Sequence, residues 1–209
     1  MIKLTSAFDQ NALEYDQWFD KHKALYQSEL AAVEKAIPKS KTGIEIGTGT
    51  GRFAQPFNIR FGVEPSENMA QLAEQRGMKI YRASAENLPL ENSSFDFAIM
   101  VTTVCFLENI PKAFSEVHRI LKPNGEIILG IIDKNSSLGK KYQQKKLSNK
   151  FYRDAHFHST EEIASLLKNS RFNNFQYWQT LTQTSEKEIE KPQQGFGKGS
   201  FVVIKAIRI

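Results

Sequence analysis

The sequence predicts an α/β fold in which a mostly parallel sheet lies between two layers of helices. Two observations predict it: short apolar runs alternate with segments of helical periodicity, and the run that begins at residue 43 leads directly into a glycine-rich turn. Strands that alternate with helices form βαβ units, whose strands are parallel and whose helices cover both faces of the sheet. At 209 residues the chain is long enough for a single domain with a complete hydrophobic core.

The composition favours a globular protein of a reducing compartment. Hydrophobic residues make up 40% of the chain, and no apolar run approaches the roughly 20 residues that cross a bilayer. Residues 1–5 become polar at once and lack the apolar region of a signal peptide. One cysteine excludes an internal disulfide framework. We therefore expect a cytoplasmic protein that does not contact a membrane.

Residues from about 8 to 37 are predicted to be helical. Phe8, Tyr15, Phe19 and Tyr26 recur at spacings of seven, four and seven, which places them on one face of a helix with 3.6 residues per turn. Such an aromatic stripe usually packs against a core. We assign residues 1–38 as an N-terminal helical cap.

Seven apolar runs are predicted to be strands. Helical patterns at 67–76 and 111–121 separate the middle ones, and a capped helix start at Thr160 precedes the last two, which a polar loop joins. Ser66 is the expected N-cap of the first of these helices, and Gly77 is its expected stop. Residues 161–209 are thus assigned as a helix and a hairpin. The predicted strands are 43–47, 60–64, 78–82, 95–101, 126–132, 172–180 and 200–207.

Three alternating glycines, Gly47, Gly49 and Gly51, follow the first strand directly. Glycine is needed where the backbone takes a positive φ or where a ligand contacts the main chain. A dinucleotide-binding G-x-G-x-x-G is the competing interpretation, but Arg52 stands at its third glycine, where a long side chain would block the approach of helix and strand. Glu45 would repel a pyrophosphate and attract an amino group and a sulfonium. The motif therefore indicates S-adenosylmethionine as the ligand.

The glycine motif resembles motif I of the class I S-adenosylmethionine-dependent methyltransferases. Four later segments, at 61–66, 83–90, 94–98 and 119–126, resemble the same family in the same order, in its type 11 small-molecule branch. Together the segments cover residues 43–132, the expected cofactor-binding core. The resemblance implies a Rossmann-like three-layer α/β/α sandwich. Its seven-stranded sheet would end in an antiparallel strand, and its N-terminal helices would form a lid over the cofactor.

The resemblance also implies where the cofactor is held. Glu45 would engage its methionyl end, and Glu64, about 20 residues past the start of the glycine motif, would accept from the ribose hydroxyls. Met69 would pack against adenine. Ser84 stands where the family commonly has aspartate, so adenine recognition would depend on main-chain groups around it. The expected cofactor-binding residues are Glu45, Gly47, Thr48, Gly49, Gly51, Glu64, Pro65, Ser66, Met69, Ser84, Ala85, Glu86, Val101 and Thr102.

The methyl acceptor is expected to be a small molecule. After the transfer, the cofactor is expected to be released as S-adenosylhomocysteine. Where nucleic-acid and amide N-methyltransferases carry Asn-Pro-Pro-Tyr, this chain has Thr-Thr-Val-Cys at 102–105. Residues 133–160 are the expected substrate-lid insertion, rich in aromatic residues. One alternative is an RNA methyltransferase that docks through the basic stretch 134–153, although a solvated helix face is favoured because no aromatic platform repeats there. A non-catalytic S-adenosylmethionine-binding module is the other alternative.

Few residues could serve as a general base. Displacement at an activated methyl carbon depends mainly on alignment and desolvation, so a base matters only if the nucleophile arrives protonated. The candidates are His156 and His158, which alternation places on one side of an extended run, and Tyr15 in the lid. Histidines of this kind are more often surface or packing residues. No metal site is indicated, and a monomer or a homodimer is expected.

Overall fold

The computed structural model describes residues 5–183 and 188–209. The first four residues of the predicted cap, and residues 184–187 of the predicted polar loop, lie outside the described residues. Within these ranges seven helices and eight strands form the predicted α/β fold. No helix in the described part of the chain is long and apolar enough to cross a membrane.

The sheet has the strand order β3-β2-β1-β4-β5-β8-β6-β7. Neighbouring strands among the first five are parallel, whereas β8 is antiparallel to both β5 and β6. The prediction of an antiparallel last strand is therefore confirmed. The strands are β1 Gly43–Ile46, β2 Phe61–Val63, β3 Lys79–Tyr81, β4 Phe95–Val101, β5 Leu121–Ile132, β6 Phe172–Thr180, β7 Gln193–Gln194 and β8 Phe201–Arg208.

Two strands differ from the predicted set. The eighth strand, β7, is a two-residue pairing with β6 at the sheet edge, and it went unpredicted because two glutamines in a polar loop show no apolar alternation. Strand β5 begins before the predicted residue 126, because Leu121 pairs with Phe95 ahead of a register shift. That pairing brings the end of the preceding helix directly against the sheet.

The N-terminal helical segment is three helices rather than one. It breaks at Asn11 and His22, whose backbone dihedrals are not helical. In both cases the side chain bonds the carbonyl four residues earlier: Asn11 Nδ2 donates to Ala7 O at 2.8 Å, and His22 Nδ1 lies 3.0 Å from Trp18 O. Side chains that compete in this way for backbone groups weaken a helix. The helices are α1 Thr5–Gln10, α2 Ala12–Lys21, α3 Lys23–Glu34, α4 Glu67–Gln75, α5 Ile110–Ile120, α6 Ser137–Gln144 and α7 Thr160–Asn169.

The predicted helix ends agree with the structure. Ser66 caps α4 by accepting a hydrogen bond from Met69 N, and Gly77 follows α4 with a φ of +82°. Helix α7 begins with a reciprocal capping box, in which Ser159 accepts from Glu162 N and the Glu162 side chain accepts from Ser159 N. Each cap satisfies backbone donors that the first turn leaves free.

The core has two apolar layers, one on each face of the sheet. Along β4, Phe97, Ile99 and Val101 pack into the layer beneath α3 and α4, while Ala98 and Met100 pack into the layer beneath α5 and α7. This alternation is the two-residue period of a strand that is buried on both faces. The carboxyl ends of the parallel strands are thereby left open at one edge, where a ligand can bind.

Candidate active site

A cavity of about 350 Å³ opens at the carboxyl ends of β1 to β4, a volume typical of small-ligand pockets. Phe8 of α1 and Tyr15 of α2 are among its lining residues. Beyond the predicted cofactor-binding residues, the lining also includes Ala83 and residues of the segment from Thr103 to Lys112. Of the predicted cofactor-binding residues, those that line the cavity are Gly47, Gly49, Glu64, Pro65, Ser66, Met69, Ser84, Ala85, Glu86, Val101 and Thr102.

The glycine turn is tightly packed at Gly47 and has open space beside Gly49. A Cβ on Gly47 would lie 2.3 Å from Thr103 Cγ2, so this glycine lets the turn pack against the end of β4. A Cβ on Gly49 would meet only Tyr15 Cε1, at 3.8 Å. Both residues have a positive φ, of 71° and 55°. This backbone conformation is strained in a residue that carries a side chain, but not in glycine. The main chain at Gly49 is therefore open to a ligand in the cavity.

Glu64, directly after β2, joins the glycine turn to the next helix. Gly49 N donates to its Oε2 at 2.7 Å, and Ser66 N donates to its Oε1 at 2.9 Å. Burial raises the pKa of this carboxyl to about 7, although the two backbone donors oppose the rise. Each carboxyl oxygen has a second lone pair for a ligand. Glu64 can therefore hold the turn and accept from ribose hydroxyls together.

Glu45 lies beneath the turn rather than in the cavity wall. It is 1% exposed, and its Oε2 has no hydrogen-bond partner among the described residues. Burial raises its pKa well above the usual range. Thr48 and Gly51 also lie outside the lining, and Thr48 Oγ1 donates to Glu45 O at 2.9 Å. An unpartnered buried oxygen behind a glycine turn suits a polar ligand group or an ordered water, as the cofactor's amino end would require.

The loop at the predicted adenine end has a structural carboxylate. Glu86 Oε1 accepts from Glu108 N at 3.1 Å and from Asn109 N at 3.3 Å, which joins the loop after β3 to the loop before α5. Ser84 and Ala85 line the cavity beside it. The Glu86 carboxylate is thus engaged within the protein, and Ser84 O accepts from Asn87 N at 3.2 Å.

An unpredicted ionic cluster attaches helix α2 to the glycine turn. Asp16 of α2 accepts from Thr50 Oγ1 at 2.6 Å, from Arg52 Nε at 2.9 Å and from Arg76 Nη2 at 2.8 Å. Burial alone would raise the Asp16 pKa, but the hydrogen bonds from Arg52, Thr50 and Arg76 outweigh it and lower the pKa to about 2. Arg52, which stands at the third glycine position of the dinucleotide-binding motif, thus binds helix α2. We call these four residues the Asp16 cluster.

We expect Asp16→Ala to destabilise the protein by about 2–3 kcal/mol, because it leaves two half-buried arginines without their shared partner. The lowered pKa means that the contribution of Asp16 is full above its ordinary pKa near 4 and is lost as the pH falls toward 2. Urea unfolding at pH 7 and pH 3 measures both effects. The matched control is Asp20→Ala, since Asp20 also binds Arg52 but its side chain is 68% exposed. Equal losses in the two variants would contradict the assignment.

The candidate bases are placed differently. Tyr15 lines the main cavity, where burial raises its pKa and a hydrogen bond with the Thr102 side chain opposes the rise. His158 lines a second, smaller cavity of about 20 Å³, and burial lowers its pKa. His156 is exposed and lines neither cavity. Only Tyr15 of the three therefore faces the predicted cofactor site.

Thr102, which borders both cavities, has a φ of +50°, and such strain is common at functional sites.

The basic stretch is partly neutralised. Lys134 pairs with Glu162, and Lys150 pairs with Glu14 of α2. Lys140, Lys141 and Lys145 are exposed. Among the residues that the structure describes, no group of three or more histidine, cysteine or acidic side chains is arranged to hold a metal.

Comparison with known proteins identifies the same regions. A family model described as a methyltransferase domain matches residues 44–129. An uncharacterized protein of Methanocaldococcus jannaschii is 46% identical in an alignment of 209 positions that covers 98% of this chain and 100% of that protein. The 2-phytyl-1,4-naphtoquinone methyltransferase of Nostoc punctiforme is 28% identical in an alignment of 142 positions that covers 59% of this chain and 62% of that enzyme.

A crystal structure from Thermotoga maritima resembles the whole molecule. It is described as a SAM-dependent methyltransferase, possible histamine N-methyltransferase, and it is 45% identical to this chain with a TM-score of 0.94. The similarity covers 97% of this chain and 99% of that one. Both the cavity edge and the lid helices therefore fall within the shared fold.

Proposed function

Because the chain belongs to the class I S-adenosylmethionine-dependent methyltransferases, in the type 11 branch, we propose that it methylates a small-molecule acceptor by in-line displacement. Its cofactor is S-adenosylmethionine, and the spent product is S-adenosylhomocysteine. The proposal rests mainly on one cavity, which is lined by the glycine turn at Gly49, by Glu64 after β2 and by the aromatic residues Phe8 and Tyr15.

We assign the cofactor's parts to named residues. Glu64 would accept from the ribose, Met69 and the loop 84–86 would hold adenine, and the main chain at Gly49 together with Glu45 would hold the methionyl end. When bound, the cofactor supplies a methyl group already activated by a sulfonium. The chain's own part is then to align the acceptor and to exclude water, for which proximity and desolvation suffice.

The enclosure of the cavity supports a small acceptor. Phe8 packs edge-on against Tyr15 and Phe106, with ring centroids 5.5 and 5.2 Å apart, and Phe151 lies 5.5 Å from Tyr15. Residues 1–38 and 133–160 would thus cover the site together, over a core of residues 43–132. The names of two similar proteins mention small acceptors: a naphthoquinone in one and, as a possible substrate, histamine in the other. An RNA substrate would instead need an open basic groove.

We expect calorimetry to detect binding of S-adenosylmethionine and S-adenosylhomocysteine but not of NAD. A screen of amine, phenol, thiol and carboxylate acceptors for release of S-adenosylhomocysteine should then identify the acceptor class. Tighter binding of NAD would contradict the assignment of the glycine turn. Binding of total RNA that falls steeply with salt, and that is lost when Lys140, Lys141, Lys145 and Lys146 become alanine, would contradict the proposal of a small acceptor.

A further inference from the structure

The smaller cavity has no role in the cofactor site described above. It lies at the carboxyl ends of β4 and β5, and its volume of about 20 Å³ is enough for one water-sized group. Thr102 lines both this cavity and the main one. The residues that line the smaller cavity are Thr102, Val104, Cys105, Ile131, Ile132, Tyr152, Phe157, His158 and Ile163.

The two cavities share an aromatic wall as well as Thr102. Phe106 lines the main cavity and Tyr152 lines the smaller one. Their rings are stacked, with centroids 6.1 Å apart and an angle of 11° between the ring planes. Thr103, the residue after Thr102, donates from Oγ1 to Gly47 O at 3.3 Å. The smaller cavity therefore adjoins the glycine turn, where the methionyl end of the cofactor is predicted.

Backbone hydrogen bonds fix His158 beside the smaller cavity. His156 N donates to Cys105 O at 2.7 Å, which attaches this segment to the loop after β4. Lys134 N, just after β5, donates to His158 O at 3.1 Å. The segment that carries His158 is thus attached to the chain that follows both strands at the cavity.

A carboxylate lies beside one nitrogen of the His158 ring. Nδ1 is 3.8 Å from Glu162 Oε2, and the His158 side chain is 28% exposed. Glu162 is itself held in place, because Oε2 accepts from Ser159 N at 2.9 Å and the carboxylate pairs with Lys134. In the described part of the chain the other ring nitrogen, Nε2, has no hydrogen-bond partner. A histidine with a carboxylate at one nitrogen and an unbonded second nitrogen is suited to act as a general base.

The lining of the smaller cavity also selects the kind of nucleophile. Among the described residues that form it, none is an acid, a lysine or an arginine. An ammonium group would therefore be buried there without a counter-charge, whereas a neutral hydroxyl can donate to an imidazole nitrogen. A hydroxyl also arrives protonated and so needs a base. A hydroxyl on an aromatic ring suits the wall formed by Phe106 and Tyr152, on which such a ring can stack.

We propose that His158 is the general base of the methyl transfer, and that the acceptor is a neutral compound with a hydroxyl on an aromatic ring. This inference rests on the proposed function and chooses among its acceptors. The hydroxyl enters the smaller cavity past Thr102, and the ring remains in the main cavity along Phe106. Glu162 is a positioning residue, which orients the imidazole and stabilises the imidazolium that forms.

His158 takes up one proton in the transfer and later releases it. Nε2 accepts the hydroxyl proton while a lone pair of the oxygen forms the new bond to the methyl carbon. The electron pair of the broken carbon–sulfur bond stays on sulfur, so the positive charge moves to the imidazolium. The imidazolium returns its proton to solvent, and a methyl ether and S-adenosylhomocysteine are released. Burial lowers the pKa of His158, against the charge of Glu162, so the neutral imidazole is the form present at pH 7.

Release of S-adenosylhomocysteine from paired acceptors at pH 8 tests the base. Phenol, catechol and naphthol keep their proton at this pH, since an aromatic hydroxyl has a pKa of about 10. Each is paired with its nitro derivative, which is largely ionised and needs no base. We expect at least one pair to be methylated, and benzylamine and phenethylamine not to be. His158→Asn should lower kcat about a hundredfold for the parent compound, far less for its nitro partner, and leave KM unchanged. His156→Asn, an exposed change two residues away, is the matched control.

Nuclear magnetic resonance gives a readout that does not depend on turnover. In protein saturated with S-adenosylhomocysteine, phenol should shift the imidazole signals of His158, which His158→Asn identifies by their loss, and leave those of His156 unchanged. The pKa of His158 should lie below its ordinary value of 6.5, and kcat should fall as the pH drops through that pKa because the base becomes protonated. The titratable and charged groups around His158 are Glu162, Lys134, His156, Cys105 and Tyr152.

The outcomes separate this inference from the proposed function. Equal losses for the parent and nitro compounds would indicate a structural role for His158, and unchanged rates in His158→Asn would exclude it as the base. Either result would overturn the inference and leave the proposed function standing, as would release from none of the hydroxyl compounds. Failure of the unmodified protein to bind S-adenosylmethionine would contradict the proposed function, and the inference with it.

Discussion

Replacing Glu64 with alanine is expected to weaken S-adenosylhomocysteine binding by about 3 kcal/mol, roughly two orders of magnitude. The change removes the predicted acceptor for the ribose, and it also frees Gly49 N and Ser66 N, which the carboxylate now holds at 2.7 and 2.9 Å. Calorimetry at pH 8 measures the loss. Glu67→Ala is the matched control, since Glu67 lies three residues further along and its side chain is 56% exposed.

The same site should respond to pH. Burial raises the Glu64 pKa to about 7, so its carboxyl loses its charge as the pH falls below neutrality. If the charged form accepts from the ribose, affinity should decline between pH 8 and pH 6 in the unmodified protein, and this decline should be smaller in Glu64→Gln. An unchanged dissociation constant in Glu64→Ala, with the fold intact by circular dichroism, would show that the ribose lies elsewhere.

Replacing Glu29 with glutamine is expected to stabilise the protein by about 3 kcal/mol at pH 8 and by little at pH 5. The folded-state pKa of about 8 lies above the ordinary value of 4.5. Between these values the folded protein keeps a proton that the unfolded chain gives up, so the free energy of unfolding falls as the pH rises. Glutamine cannot ionise and avoids this loss. Urea unfolding of both proteins at the two pH values measures the difference.

Two further comparisons make this result specific to Glu29. Glu34→Gln changes the same charge at an exposed position of α3 and should leave the free energy of unfolding nearly unchanged at both pH values. Glu45 and Glu64 also have raised pKa values, but they are present in every variant and cancel in the difference. A loss of stability on replacing Glu29 would indicate that its carboxyl has a stabilising partner in the folded protein.

The fold and the cofactor side of the site follow from local sequence signals. A strand that leads into Gly47 and Gly49, and an acid after the next strand, are features of short segments. Each segment brings its residues to the carboxyl edge of a parallel sheet, because every βαβ unit returns the chain to the same edge. For this reason the predicted strands and most of the predicted lining residues could be identified without contacts between distant parts of the chain.

The lid side was decided by tertiary contacts. Asp16 of α2 meets Arg76 across sixty residues of sequence, and Glu14 of the same helix pairs with Lys150. The sequence by itself determined the parallel sheet, the glycine turn and the acid at Glu64, because periodicity and turn chemistry are local. Only the tertiary structure showed that Glu29 is buried, because whether a carboxyl on a helix is shielded from water depends on which distant elements pack around it.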